Sequence, residues 1–242
     1  MPNYVVNILR TKNETDFKTF SKLLIKDNEV DFDKLIHMPS AMNIESSSDS
    51  FVIAKHRTGY NESLRLSVLF KKLYKKSKTR DEFLDDILTS NSSVSGRKKE
   101  QLILKAQGFW NLVTYGSIDW YDWRIKHWGT KWNAEGTTIA DGTITFTTAW
   151  STCVPILEKL AQHINFTLVF ADEDWGNNCG LIIAKDGKLV VDSNFGIDGG
   201  ITNLEAQYIA CLLWENEDEA DSIEGISSER KAYILDCLTK YL

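Results

Sequence analysis

The sequence predicts an α+β fold, a sandwich in which helices cover a small, mainly antiparallel sheet. The first observation is that strand-like and helix-like segments alternate along much of the 242-residue chain, which is typical of mixed folds. The second is a pair of apolar segments joined by Asp186-Gly187, a dipeptide that favours a two-residue hairpin turn. The third is a continuous helical pattern over 61–116, which predicts a helical insertion.

The start of the chain predicts one strand, one helix and one short extended segment. Residues 3–9 are rich in β-branched side chains, which favours a strand. The segment NETDFKTFSKLLI follows and predicts a helix whose cap is Asn13 or Thr15. VDFDKLIHMPS, residues 30–40, predicts a second short extended segment, and NIESSSDS, residues 43–50, predicts a polar loop.

The insertion is predicted to hold three short helices. Thr79 and Glu82 form the capping-box pattern that begins the second helix. Gly116 is suited to the position just after the third helix. Apolar residues at helical spacing mark the buried face of the first helix: Leu66, Leu69, Phe70 and Leu73.

After residue 117 the alternation of strands and helices resumes. Ser117 is expected to cap a helix that runs through residue 128 and is ended by Gly129. The simplest arrangement of all the elements is the ferredoxin-like βαββαβ pattern. The later predicted elements are a strand over 143–150, a helix over 153–164, strands over 165–171, 179–185 and 188–193, and helices over 201–215 and 227–241, the last two separated by the acidic stretch ENEDEADSIE.

These elements predict a domain organisation with one interruption. We expect a discontinuous ferredoxin-like core over 1–60 and 117–195, with a helical insertion over 61–116 between its two parts. A C-terminal helical extension over 196–242 completes the chain. The length is sufficient for one large domain that carries an insertion.

Composition narrows the class of protein. The N-terminal segment lacks the apolar stretch of a signal peptide. No run approaches the roughly 20 apolar residues of a membrane span, so we expect no membrane partner. The four cysteines are widely spaced and form no CxxC pattern, which favours reduced thiols and a cytoplasmic protein.

Charge is distributed unevenly along the chain. The formal net charge of −6 disfavours nucleic acid as the main partner, because phosphate binding usually rests on a basic surface. Residues 65–105 nevertheless hold 11 Lys and Arg against 5 Asp and Glu, whereas residues 172–242 hold 15 acidic against 5 basic residues. A solvated helix face is the favoured interpretation of the segment KKLYKKSKTR, and nucleic-acid contact is the alternative. Its basic face comprises Lys71, Lys72, Lys75 and Lys76.

Residues 119–134, DWYDWRIKHWGTKWNA, hold four tryptophans. Helical spacing places most rings of the first part on one broad apolar face, so we interpret them as core. Arg124 and His127 lie within that face, where a charge or an imidazole needs a partner. Candidate partners for the arginine are the Trp128 ring and the carboxylates at 172–174.

A candidate binding surface is predicted near this motif. The segment GTKWNA follows the helix as a loop, and loops on a rigid scaffold commonly carry binding residues. A tryptophan folded back onto the core is an equal alternative for its ring. An acidic run and the segment DWGNNCG follow a later predicted strand. The candidate binding residues are Arg124, His127, Lys131, Trp132, Asn133, Asp172, Glu173, Asp174 and Asn178.

Catalytic patterns give weaker hypotheses. Nothing in the sequence matches a Walker-type loop. Cys179 with His127 or His163 would supply a nucleophile and a base, but a small buried residue at the start of a strand is the favoured interpretation. The acidic run at 172–174 is interpreted as a turn or a source of salt bridges rather than a cation site. We therefore predict no catalytic residue, no metal and no cofactor, and an enzyme is disfavoured.

Four segments occur in a recognisable order: VDFDKLIHMPS, WYDWRIKHWGTKWNA, TFTTAWS with a proline after it, and DWGNNCG. Together they resemble the YubB ferredoxin-like domain family, which is found on plasmids and in bacteriophages. The similar segments run from the N-terminus to about residue 195, except for 45–116. The resemblance implies a ferredoxin-like fold and a mobile-element origin, but no activity and no catalytic residues.

Three functions follow as hypotheses. The first, which we favour, is a phage- or plasmid-encoded, non-enzymatic protein that binds a host protein, such as a defence factor, in the bacterial cytoplasm. The second is a nucleic-acid-binding module that uses the basic insertion and aromatic residues on an open sheet face. The third is a hydrolase or nucleotide-directed enzyme that uses Asp172, Glu173 and Asp174 with His127. The sequence does not predict an oligomeric state.

Overall fold

The computed structural model describes residues 3–46, 61–174 and 176–241. The predicted polar loop at 43–50 therefore lies partly outside the described residues. In chain order the elements are β1 (Tyr4–Thr11), α1 (Glu14–Leu24), β2 (Ile25–Lys26), β3 (Glu29–Val30), α2 (Phe32–Leu35), α3 (Asn61–Tyr74), α4 (Arg80–Ser90), α5 (Arg97–Tyr115), α6 (Trp120–His127), β4 (Glu135–Ala140), β5 (Thr143–Ala149), α7 (Val154–Ala161), β6 (Phe166–Asp172), β7 (Cys179–Lys185), β8 (Lys188–Asp192), α8 (Asn203–Leu213), α9 (Glu217–Ser222) and α10 (Ser228–Thr239).

The chain forms two compact units. The first, which we call the sheet unit, combines residues 1–37 with residues 126–242. The second, which we call the helical unit, comprises residues 38–125. The domain limits that the sequence predicts remain a prediction.

The sheet unit is built on a six-stranded antiparallel sheet in the order β4-β5-β1-β6-β7-β8. Strand β1 is central and pairs with β5 on one side and β6 on the other. The succession β1-α1-β4-β5-α7-β6 is the βαββαβ pattern of a ferredoxin-like fold. The hairpin of β7 and β8 extends the sheet beyond β6. The predicted α+β, ferredoxin-like fold class is confirmed.

The predicted hairpin turn has the expected conformation. Asp186 and Gly187 both have positive φ, 51° and 77°. Positive φ at both central residues is what a two-residue type I′ turn requires, and its twist matches that of the flanking strands. Strands β7 and β8 therefore pair directly on either side of this dipeptide.

Two local predictions are wrong, and two elements were not predicted. The segment at 30–40 is not extended, because a one-turn helix, α2, begins after Asp31, whose side chain caps it. Helix α6 is capped by Asp119 rather than Ser117, since the Asp119 carboxylate accepts a hydrogen bond from the Asp122 N–H at 2.9 Å. Strand β4 was not predicted, and it supplies the second strand of the βαββαβ pattern. A short helix, α9, also lies within the acidic stretch predicted only to separate two helices.

Both faces of the central strands are buried. Alternate residues of β1, such as Val5 and Leu9, point to one face, while Val6 points to the other. Helices α8–α10 cover the face of Val6, a face that the bare βαββαβ pattern leaves open. The core on this face joins Val6, Val169, Ala171 and Leu181 of the strands to Tyr208, Ile209, Ile234, Cys237 and Leu238 of the helices.

The helical unit has its own hydrophobic core. Helices α3, α4 and α5 occupy the predicted insertion, and α5 ends at Gly116, which has a φ of 75° in the left-handed region that ends helices. Edge-to-face and tilted aromatic pairs fill the centre. The buried residues are Phe70, Phe83, Ile87, Leu102, Ala106, Phe109 and Trp110.

Candidate binding surface

The loop between α6 and β4 is fixed to the end of β5. The Thr130 hydroxyl donates to the Ala149 carbonyl at 2.8 Å and accepts from the Ala149 N–H at 3.1 Å. Thr130 and Ala149 are both buried. Because this pair of hydrogen bonds fixes the Thr130 side chain to the Ala149 backbone, the residue after Thr130 lies near the residue after Ala149. Lys131 is thereby positioned next to Trp150.

Lys131 lies between two tryptophan rings. Its Nζ is 4.7 Å from the centroid of the Trp132 ring and 4.9 Å from that of the Trp150 ring. The Tyr4 ring lies 6.5 Å from the Trp132 ring, at a tilt of 41°. A lysine at these distances is attracted to the negative faces of the rings. We call Tyr4, Lys131, Trp132 and Trp150 the aromatic patch.

Trp150 is held in a strained and exposed conformation. Its φ is 70°, a region that bulky residues rarely adopt. Trp150 is 42% exposed to solvent. Neighbouring chain segments fix its backbone, because the Trp150 N–H donates to the Asn3 carbonyl at 2.8 Å and the Asn178 side chain donates to the Trp150 carbonyl at 3.0 Å.

The predicted acidic run lies beside the aromatic patch and has two parts. Asp172 is buried at 6% exposure and accepts hydrogen bonds from the Asp174 N–H at 3.0 Å and the Asn178 amide at 3.2 Å. Glu173 and Asp174 are exposed. The Glu173 carboxylate accepts from the Tyr4 N–H at 3.0 Å, and Asp174 accepts from the Asn3 amide. We call Glu173 and Asp174 the acidic rim.

Several predicted candidates therefore converge. Lys131 and Trp132 meet Asp172–Asp174 and Asn178 through their shared neighbours Tyr4 and Trp150. Trp132 is half-buried, so its ring is neither fully exposed nor fully folded into the core. Tyr4 and Trp150 are members of the patch that the sequence did not indicate. Trp150 had one available signal, since it follows directly after the strand-like segment TITFTTA, where a chain turns.

Other predicted candidates have local roles. Asn133 organises the loop, since its side chain accepts from the Phe32 N–H at 2.9 Å and donates to Asp31 at 2.8 Å. The Arg124 guanidinium lies 5.1 Å from the Trp120 ring centroid. His127 is half-buried at the end of α6. The aromatic patch does not include these three residues.

The rings of the motif, most of which were predicted to lie in the core, divide between buried and half-buried positions. Trp123 and Trp128 are buried, and Trp120 and Tyr121 are half-buried. The Trp128 indole N–H donates to the Ile36 carbonyl at 2.9 Å, and its ring meets Phe32 edge-on at 6.0 Å. Buried tryptophans normally find such a partner for the indole N–H.

Two thiols of the sheet unit, those of Cys153 and Cys179, are poor nucleophiles. Burial raises the pKa of Cys153 to about 12. Burial, and then the nearby Asp172 carboxylate, raise the pKa of Cys179. A thiol must ionise to attack, so both remain protonated and unreactive at neutral pH. Among the described residues, no group of three or more His, Cys, Asp or Glu side chains could hold a metal ion.

The nucleic-acid hypothesis expected aromatic residues on an open sheet face. That expectation is wrong for β1, β6 and β7, because helices α8–α10 bury the available face. The predicted basic face is exposed: Lys71 and Lys72 lie at the end of α3, and Lys75 and Lys76 follow it.

Comparison with known proteins agrees with this architecture. Residues 127–236 match a family model described as a ferredoxin-like domain in Api92-like protein. The match spans slightly less than half of the chain and includes β4–β8 and most of the C-terminal helices. It supports a ferredoxin-like family and does not single out the YubB family. No curated protein and no solved structure matches the chain.

In the part of the chain that the structure describes, no helix is long and apolar enough to cross a membrane.

Proposed function

We propose that this chain is a phage- or plasmid-encoded, non-enzymatic interaction protein that binds a host protein through the aromatic patch and the acidic rim. The observation that carries the proposal is the conformation of Trp150, which combines positive φ with 42% exposure. The mobile-element origin rests on the resemblance of four sequence segments to the YubB family. A ferredoxin-like fold by itself implies no particular activity.

The conformation of Trp150 has a cost in backbone strain. A non-glycine residue held at positive φ costs about 1–3 kcal/mol, and such strain is concentrated at functional sites. An exposed tryptophan also gains less from burial than one in the core. Strain and exposure together support a role that is fulfilled when a partner covers the ring.

The residue types of the aromatic patch and the acidic rim suit a protein partner. Tryptophan and tyrosine are enriched among the residues that dominate interface affinity, and they work best in a patch that a partner desolvates. Lys131 lies between the Trp132 and Trp150 rings and can donate hydrogen bonds to backbone carbonyls of a partner. The acidic rim, Glu173 and Asp174, favours a partner with basic residues at the edge of its interface.

The arrangement gives less support to an enzyme. The acidic residues are engaged in hydrogen bonds that shape the loop, with Asp172 bonded to Asp174 and Asn178. The nearby thiol of Cys179 has a raised pKa. The geometry of this surface supports binding better than bond cleavage.

The test is affinity capture from a bacterial lysate with three versions of the full chain. They are the wild type, Lys131→Glu, and the control Tyr233→Ala, which removes an exposed ring on α10. The proposal expects one host protein captured stoichiometrically by the wild type and the control and lost with Lys131→Glu. Capture that is the same with all three versions, or no stoichiometric partner, would contradict it.

A second candidate function is nucleic-acid binding by the helical unit. It rests on the exposure of four lysines within six positions, Lys71, Lys72, Lys75 and Lys76. The test is fluorescence anisotropy with single- and double-stranded oligonucleotides at low salt. Replacing all four lysines by Gln should abolish binding, because each phosphate contact contributes through counterion release. Unchanged affinity, or no binding by the wild type, would remove this candidate.

A further inference from the structure

A cavity of about 310 Å³ lies at the end of the sheet opposite the aromatic patch. The end of β1, the start of β6 and the end of β7 meet there, and the end of α10 contributes Lys240. Tyr4 and Arg10 lie six residues apart on β1, which separates the patch and the cavity by about 20 Å. Four of the lining residues are basic: Arg10, Lys12, Lys185 and Lys240. We call this cavity the basic pocket.

Hydrogen bonds fix the chain segments that carry the basic residues of the pocket. The Asn165 carbonyl accepts from the Lys12 N–H at 3.4 Å, and the Asn165 side chain accepts from the Asp186 N–H at 2.9 Å. Asn165 thereby joins the segment of Lys12 to the turn that follows Lys185. On the other side, the Thr167 hydroxyl donates to the Tyr241 carbonyl at 3.2 Å and fixes the chain beside Lys240.

The positive charge of the pocket is mostly uncompensated. Lys240 forms a salt bridge with Asp236 at 3.3 Å, which raises the pKa of Lys240. In the described ranges, Arg10, Lys12 and Lys185 form no salt bridge. Three such cations around one cavity repel one another, in a chain whose formal net charge is −6. A bound anion would remove this repulsion.

The pocket also has an apolar side. Its lining includes the half-buried Ile183 and the buried Phe166 and Ala184, together with Thr11 and Thr167. Its volume lies at the lower end of the range for small-molecule sites, which combine an apolar lining with a few polar groups. A simple inorganic anion would leave the apolar part uncovered, whereas an organic phosphate would cover both.

We propose that the basic pocket binds a small phosphorylated ligand of the nucleotide class. Arg10, Lys12 and Lys185 hold the phosphate, since cationic side chains make short, strong hydrogen bonds to phosphate oxygens. The ring or sugar of the ligand lies against Ile183. The site is separate from the aromatic patch, so it goes beyond the proposed protein binding.

The test is isothermal titration calorimetry of the full chain with ADP, AMP, adenosine, inorganic phosphate and a single-stranded oligonucleotide. We expect saturable binding of ADP or AMP at one site, at least about tenfold tighter than inorganic phosphate. Adenosine lacks the phosphate and should not bind. The affinity should fall between low and high salt, because exposed cations are screened.

Variants locate the site. Lys12→Gln with Lys185→Gln should weaken nucleotide binding by about tenfold or more. The control, Lys18→Gln with Lys22→Gln, removes two exposed lysines of α1 and should leave the affinity unchanged. Circular dichroism and thermal melts establish that both double variants fold like the wild type.

Three results would overturn the proposal. They are nucleotide binding no tighter than that of inorganic phosphate, binding of the oligonucleotide alone, and an affinity unaffected by Lys12→Gln with Lys185→Gln. Trp150→Gly should leave nucleotide binding intact. A result that contradicts nucleotide binding at the basic pocket therefore leaves the proposed protein binding untouched. Protein binding is measured separately, by capture of a partner.

Discussion

At the scale of single residues, two tryptophans with the same side chain lie in opposite environments. Trp128 is 2% exposed, and its indole N–H is bonded inside the protein. Trp150 is 42% exposed and has positive φ. Folding accounts for the first, because a buried ring contributes much apolar area. The exposure and positive φ of Trp150 are better explained by a partner that covers its ring.

This contrast predicts different effects on stability. Trp150→Gly relieves the backbone strain, since glycine adopts positive φ without a steric penalty, but it also increases the entropy of the unfolded chain. We expect the free energy of unfolding to change by no more than about 1 kcal/mol. Trp128→Ala should lower it by about 3–5 kcal/mol, as expected for a large buried ring.

Urea denaturation of the wild type and both variants measures these changes. A loss of 3 kcal/mol or more on Trp150→Gly would mean that the Trp150 ring is mainly structural.

A second residue-scale prediction concerns Glu205, a buried carboxylate at the start of α8. It accepts from the Arg230 Nε at 2.5 Å and from the Thr202 N–H at 2.6 Å. The hydrogen bond from Arg230, followed by those from Thr202, holds the pKa of Glu205 below its ordinary value despite its burial. Glu205→Gln should lower the free energy of unfolding at pH 7 by about 2 kcal/mol, the range for a hydrogen bond to a charged group.

The pH dependence of this contribution has a definite sign. The pKa is lower in the folded than in the unfolded state, so the stabilisation is complete above the unfolded value of about 4.3. It is lost as the pH falls from there through the folded pKa. The difference in melting temperature between wild type and Glu205→Gln should therefore shrink on acidification. A difference that stays constant from pH 7 to pH 3 would contradict this assignment.

At the scale of elements, the sequence predicted the helix caps and the hairpin turn, because residues close together in the chain determine them. Asn13 caps α1, accepting from the Asp16 N–H at 2.9 Å, and Thr79 caps α4, accepting from the Glu82 N–H at 3.2 Å. Glu82 departs from the capping-box pattern in one detail, since its carboxylate accepts from the Lys78 N–H at 2.7 Å. Caps and tight turns involve residues a few positions apart, so they can be read from sequence.

Elements that depend on distant contacts were missed. Strand β4, EGTTIA, is exposed at five of six positions. It therefore lacks the alternation of apolar and polar residues that marks a half-buried strand. Pairing with β5 forms it, with a register shift between Glu135 and Thr138. Helix α2 has only four residues, too few for a periodic pattern.

The loop that carries Lys131 gives an element-scale prediction. Gly129 has a φ of 81°, and a Cβ there would lie 2.7 Å from the Pro155 ring. Gly136 has a φ of 63°, but a Cβ there would meet nothing within 4 Å. Both Ala variants incur backbone strain of about 1 kcal/mol. Gly129→Ala should lose a further 1–3 kcal/mol, the usual range for overpacking.

Thermal unfolding of both alanine variants measures the difference. Equal losses would mean that Pro155 does not constrain the loop, and the fixed position of Lys131 would then lack this support.

At the scale of the whole chain, the sequence predicted the fold class but not the role of its C-terminal helices. The apolar faces of α8 and α10 could be recognised from their spacing. Which surface they cover depends on tertiary packing, and the structure places them on the face of Val6 and Val169. The convergence of Tyr4, Trp150 and Lys131 has the same origin, because it arises from strand pairing across distant parts of the chain.

Removal of the C-terminal helices should therefore destabilise the sheet unit. A chain ended after Gly200 would expose Val6, Val169, Ala171 and Leu181, which those helices now bury. Contiguous exposed apolar surface of this kind promotes aggregation. We expect an insoluble product or a molten one without a cooperative melt, measured by gel filtration and circular dichroism. A soluble truncated chain with a cooperative melt would show that these helices are a separable extension.

The most direct test of the central claim is the affinity of Trp150→Gly for the host protein captured by the wild type. Calorimetry with that purified partner should give a dissociation constant at least about 30-fold weaker than for the wild type, as for a residue that dominates an interface. The control Tyr233→Ala should match the wild type. Equal affinity of Trp150→Gly and the wild type would contradict the account.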